Sequence, residues 1–136
     1  MASPTKPRWS GERILASPIY WTVVTDERQF PHVLKEVYHP EKPPHVDWFS
    51  NSTTPGITHR FASSSGDIFC VVCIRGTDDL DPLAVAALIA HEAVHIWQFI
   101  QEYLSEEHPS IEFEAYSVQI ILQQLLHEYR RQIYGV

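Results

Sequence analysis

An apolar stretch near the middle of the chain is interrupted by three polar, titratable side chains. The stretch is "ALIAHEAVHIWQF", residues 87–99, and the three residues are His91, Glu92 and His95. On a helix, residues i and i+4 share one face, with Cβ atoms about 5–6 Å apart. Two imidazoles at that spacing can bind one metal ion through their ring nitrogens, since Zn–N bonds are about 2.0–2.1 Å long. The pattern therefore predicts a zinc site on a helix, with His91 and His95 as ligands.

Glu92 follows the first histidine and lies about 100° further around the same helix. This position puts its carboxylate beside the metal, where it can accept a proton from bound water. Burying three polar groups without a compensating cation would be costly. Two histidines on one helix face are also found as surface residues or as hydrogen-bonded core residues, but the apolar surroundings favour the metal site. We predict Glu92 as the general base.

A catalytic zinc needs a third protein ligand and an open position. The next helical segment, "SIEFEAYSVQ" (residues 110–119), offers Glu112 and Glu114, which point to different faces because they are two residues apart. Glu112 shares its face with Ala115, Tyr116 and Gln119, and Glu114 shares its face with Val118, Ile121 and Leu125. The small Ala115 would let the two helices approach closely. We prefer Glu112 as the third ligand, with Glu114 as the alternative.

The residue patterns along the chain indicate an α+β domain. They predict a strand at residues 19–24, a short helix capped by Thr25 or Asp26, a long loop at 39–56, strands at 57–63 and 67–75, and long helices from Pro82 to about Leu104 and from Ser110 to Tyr134. We expect residues 1–17 to be a flexible arm. Residues 18–136 would form one domain, a short antiparallel or mixed sheet on two long helices.

Composition argues against several functional classes. The formal net charge of −7 disfavours binding to nucleic-acid phosphates. The N-terminus, "MASPTKPRWSGER", lacks the apolar core of a secretory signal. The sequence also lacks a run of 18 apolar residues, so we expect no membrane span. Two cysteines do not form a disulfide framework, so we expect a cytoplasmic protein. In the strand "CVVC" the cysteines face opposite sides, which predicts buried free thiols rather than a redox or metal pair.

"HEAVH" followed by "EFEAY" resembles the gluzincin group of zinc metallopeptidases, the group that includes thermolysin. In that group the first helix gives two histidine ligands and the catalytic Glu, and a second helix gives a Glu ligand with a small residue three positions on and a polar residue four on. Glu112, Ala115 and Tyr116 have this spacing, although Tyr116 differs from the usual acidic or amide residue. The chain also resembles small metallopeptidase-like proteins of phages and prophages.

This resemblance implies a zinc-dependent peptidase or amide hydrolase. In such enzymes zinc lowers the pKa of its water and polarises the scissile carbonyl, and a Glu accepts the water proton. An edge strand pairs with the extended peptide substrate, and residues 67–75 are the expected edge strand. The oxyanion would be stabilised by one of four candidates that the sequence does not separate: His59, Tyr103, Tyr116 and His127.

Two other interpretations remain open. The chain could keep the metal in a non-catalytic interaction or structural module, for example in a phage, because its short length leaves little room for a second substrate-binding subdomain. It could also be an α+β binding protein without metal. The sequence does not indicate the oligomeric state.

Overall fold

A computed structural model describes residues 3–11 and 18–136 of the chain. These residues form an α+β fold. The strands and α-helices are β1 (Ser10–Gly11), β2 (Ile19–Val24), α1 (Phe30–Tyr38), β3 (Gly56–Ala62), β4 (Ile68–Ile74), α2 (Pro82–Leu104) and α3 (Ile111–Tyr134). The predicted fold class, the strand at 19–24 and the two long helices are confirmed.

The strands form one mixed sheet in the order β1-β2-β4-β3. β2 and β4 are parallel, whereas β3 is antiparallel to β4 and β1 is antiparallel to β2. The expectation that residues 67–75 form an edge strand is wrong, because Val71 pairs with Thr22 on one side and with His59 on the other. Every residue from Cys70 to Ile74 is buried, which is typical of an interior strand. The edge of the sheet on this side is β3.

Each face of the sheet carries its own hydrophobic core, since side chains alternate along a strand. α2 and α3 cover one face, where Trp21, Val72 and Ile96 are buried. α1 and the loop after it cover the other face. Cys70 and Cys73 fall into different cores and are free and buried, as the strand geometry predicts. Burial raises the pKa of the Cys70 thiol to about 12.

Local sequence signals determine where the long helices begin and end. Asp81 caps α2 by accepting a hydrogen bond from the Leu83 N–H, and Ser110 caps α3 by accepting one from Phe113. Gly135, with φ of 72°, ends α3 in the left-handed conformation that favours glycine.

By length and a mean hydropathy of 1.5, α2 would be able to cross a membrane. Six of its seven buried side chains lie in the hydrophobic core, and core helices often have this composition.

The loop between α1 and β3 contains neither helix nor strand, as predicted, yet it is firmly attached. Arg75 donates hydrogen bonds to the carbonyls of Asn51 and Thr54. Its guanidinium carbon lies 3.9 Å from the centre of the Phe49 ring. Nε2 of His59 is 2.8 Å from the Trp48 carbonyl. The loop therefore belongs to the α1 face of the sheet, opposite α2.

Residues 3–11 are held against the domain, in contrast to the expected flexible arm. β1 pairs with β2, and the Arg8 carbonyl accepts a hydrogen bond of 2.6 Å from Thr22 Oγ1. The Arg8 N–H donates to Glu128, and Arg131 donates to the Lys6 carbonyl. These backbone bonds link sequence-distant elements, which composition alone does not reveal. The rest of that predicted arm, residues 1–2 and 12–17, lies outside the described residues.

Glu128 is expected to stabilise this attachment in a pH-dependent way. Its burial would raise the pKa of the carboxyl, but hydrogen bonds from Arg131, Gln132 and the Arg8 N–H outweigh burial and lower the pKa below 4.5. The stabilisation is therefore complete above pH 4.5 and is lost as the pH falls below that value. Glu128→Gln should lower the free energy of unfolding by about 1.5–3 kcal/mol at pH 7. Urea unfolding at pH 7 and pH 3 tests this, and an equal loss at both pH values would contradict it.

Candidate functional site

The two histidines of the motif converge on one point at the surface of α2. Their Nε2 atoms are 3.1 Å apart, and their ring centres are 4.8 Å apart with planes at 77°. Two nitrogens bound to one tetrahedral zinc at about 2.0–2.1 Å would be about 3.3–3.4 Å apart. His91 is exposed and His95 is half-buried, so solvent can reach this point. The 3.1 Å separation is that of a hydrogen bond between the two rings, and it is about 0.2–0.3 Å shorter than the spacing that a shared zinc ion would need.

Gln98 orients the second histidine. Its Oε1 lies 3.0 Å from Nδ1 of His95. Because an amide oxygen only accepts, Nδ1 carries the proton and Nε2 presents its lone pair. Hydrogen bonding of the distal ring nitrogen is the usual way in which proteins orient a histidine ligand.

Glu92 points from the same helix towards the sheet. It is 4% exposed, and its Oε2 accepts a hydrogen bond of 2.5 Å from Thr58 Oγ1 on β3. A carboxylate buried with one hydrogen bond is costly, which favours a functional reason for this position. Sequence reasoning missed Thr58. The sequence signal for Thr58 was weak: a polar residue in a predicted strand that precedes the motif helix.

The open strand β3 runs alongside α2 in the same direction. Gly56 faces Leu88, so closely that an added Cβ would come within 2.9 Å of the Leu88 side chain. Thr58 contacts Glu92. Arg60 lies over the Phe99 ring. The flanking bonds from Arg75 to Pro55 and from Ser63 to Asp67 show that odd-numbered residues of β3 bond to β4. Thr58 and Arg60 therefore direct their backbone N–H and C=O groups outwards, away from the sheet.

The predicted third ligand is not near the histidines. Glu112 and Glu114 are exposed, and Glu114 accepts a hydrogen bond of 2.9 Å from Nε1 of Trp97. Trp97 is two residues from His95, hence about 160° around α2, so α3 lies on the opposite flank of the helix. Across residues 3–11 and 18–136, no three His, Cys, Asp or Glu side chains are grouped to hold a metal. Glu112 as a ligand stays a prediction.

The four candidate oxyanion stabilisers are spread over the molecule. His59 belongs to the opposite face of the sheet, where its ring stacks on Phe61. Tyr116 and His127 are exposed on α3. Tyr103 lines a cavity between α2 and β3 together with Arg60. Of the four, Tyr103 is the one that lies on the β3 flank of the motif helix.

The site brings together two convergent imidazoles, an adjacent buried carboxylate and an open strand edge. Such a set can coordinate a divalent cation at two positions, transfer a proton and pair with an extended chain. Compared with known proteins, the chain matches no family model, no curated protein and no solved structure.

Proposed function

We propose that the chain is a zinc-dependent peptidase or amide hydrolase, with His91 and His95 as zinc ligands and Glu92 as the general base. The observation that carries the proposal is the 3.1 Å separation of the two Nε2 atoms on α2, one residue from a buried carboxylate. Imidazole nitrogens are preferred zinc ligands, and converging pairs one helical turn apart bind one ion.

Each neighbouring residue has a defined part in this reaction. Zinc in such a site is a Lewis acid that lowers the pKa of water to about 7. Gln98 fixes the His95 ring, and Thr58 holds the carboxylate of Glu92 beside the edge strand. Glu92 accepts the proton of the attacking water and delivers it to the leaving amine.

The substrate is proposed to pair with β3 instead of the strand at 67–75. The outward backbone groups of Thr58 and Arg60 can add an extended peptide as a further strand, antiparallel or parallel to β3. Because Thr58 also contacts Glu92, a peptide on this edge would pass next to the general base. A peptide or protein is therefore the proposed substrate class.

A second candidate is a metal-binding module without catalytic activity. The observation that favours it is that, among the described residues, no third His, Cys, Asp or Glu is grouped with the two histidines, while Glu114 contacts Trp97 on the opposite flank of α2. Catalytic zinc sites have three protein ligands, whereas this arrangement supplies two. In this alternative Glu92 is a structural residue held by Thr58.

Metal content and hydrolysis together test the proposal. The chain purified without added metal should contain about one zinc ion by elemental analysis, and it should hydrolyse an unfolded protein substrate. A chelator should abolish hydrolysis and added zinc should restore it. Zinc without hydrolysis would support the non-catalytic module. A chain that neither contains nor binds zinc would exclude both candidates.

A further inference from the structure

A cavity lies beside the histidine pair, between β3 and the second half of α2. Its volume is about 450 Å³, and it is lined by Arg60, Ala62, Ile68, Phe99, Glu102 and Tyr103. Phe99 is four residues after His95, hence about 6 Å further along the helix. The cavity is therefore one helical turn from the proposed zinc ligands, on the flank that faces the open strand.

We propose that this cavity binds an aromatic side chain of the peptide substrate, and that Phe99 and Arg60 determine this preference. The inference rests on the proposed function, since it assumes that a peptide lies along β3. It adds the class of side chain that the site selects and the residues that select it.

The floor of the cavity is apolar. Ala62, Ile68, Phe99 and Tyr103 supply most of the lining, and Tyr103 is 49% exposed. Aromatic rings gain from burial against such a surface and from edge-to-face or offset contact with other rings. The floor therefore favours a large apolar side chain.

Arg60 gives the rim of the cavity a flat stacking surface. Its guanidinium carbon lies 4.8 Å from the centre of the Phe99 ring. Its Nη1 is 3.3 Å from Glu102, but the two side chains are 44% and 70% exposed, and such exposed pairs contribute little. A planar guanidinium has two faces, so an incoming aromatic ring can stack on the second one.

The opposite charges at the rim disfavour charged substrate side chains. An acidic side chain that approaches Arg60 also meets Glu102, and a basic one that approaches Glu102 meets Arg60.

The distance between the cavity and the histidines, about one helical turn, also matches the spacing of side chains on an added strand. Alternate residues of such a strand lie about 6.6–6.8 Å apart on one face. The side chain in the cavity would therefore belong to a residue within two positions of the bond next to the histidines.

Peptide binding tests the inference independently of cleavage. The Glu92→Gln chain, loaded with zinc, is titrated against fluorescein-labelled eight-residue peptides that differ at one scanned position, which is Phe, Leu, Glu or Ala. At the preferred position we expect Phe to bind about tenfold more tightly than Ala. Phe99→Ala and Phe99→Leu should reduce this preference to less than about threefold, and Arg60→Gln should reduce it partly. Glu107→Gln, an exposed position outside the cavity lining, is the control and should keep it.

Three results would overturn the inference: no peptide binding, a preference for Glu that Arg60→Gln abolishes, or a Phe preference that both Phe99 variants retain. Circular dichroism confirms that each variant is folded. Hydrolysis by the unchanged chain is measured in parallel. A Phe preference without hydrolysis keeps the cavity as a binding site and removes the peptidase.

Discussion

Glu92→Gln is expected to abolish hydrolysis while zinc content stays near that of the unchanged chain. Glutamine has the same shape and still accepts the hydrogen bond from Thr58, but it cannot take a proton from water. Loss of a general base lowers kcat by about 10²–10⁴-fold. Because the removed charge is 4% exposed, the free energy of unfolding should be unchanged or higher.

The measurement combines kcat on a peptide substrate, zinc by elemental analysis and thermal unfolding. Glu107→Gln is the control, since it removes an exposed carboxylate that lines neither the cavity nor the proposed zinc site. It should leave kcat within about twofold, as expected of an exposed site away from the reacting atoms. A Glu92→Gln chain with normal kcat would show that Glu92 is not the base. A Glu92→Gln chain that loses zinc would show instead that Glu92 helps to hold the histidine ligands in position.

Local signals made much of the fold predictable from the sequence. The bounds of β2 and the end of α2 agree with the prediction, and Asp81 and Gly135 cap the long helices next to their predicted ends. These features depend on backbone hydrogen bonds over a few residues, which the local sequence determines. The spacing of His91 and His95 is predictable for the same reason, because one helix fixes it.

Features that depend on long-range packing were not predictable. The pairing of β3 with β4 is predictable, because a short turn joins these consecutive strands. Which of the two strands also pairs with β2 depends on contacts between residues that are distant in sequence. A usable signal was present: β4 is a continuous apolar run, whereas β3 contains Thr58, His59 and Arg60. The flank of α2 that receives α3 is likewise decided by packing around Trp97, which no periodicity reveals.

His91→Ala and His95→Ala are each expected to weaken zinc binding by about 10²–10³-fold. Structural zinc sites of four ligands bind with about 10–16 kcal/mol, so one ligand accounts for about 2.5–4 kcal/mol. Gln98→Leu removes the hydrogen bond to His95 but no ligand, and should weaken binding by about tenfold. Competition with a chromophoric chelator measures all three constants. Histidine variants with unchanged affinity would contradict the site.

The same titration tests Glu112 as the third ligand. For the peptidase, Glu112→Ala should weaken zinc binding about as much as the histidine variants do. Glu114→Ala is the matched control two residues away: it breaks the hydrogen bond to Trp97 and should cost about 1 kcal/mol of stability without changing zinc affinity. If both variants bind zinc as tightly as the unchanged chain does, α3 supplies no ligand from Glu112. The two histidines then bind the ion without that carboxylate, and the hydrolysis measurement separates the peptidase from the module.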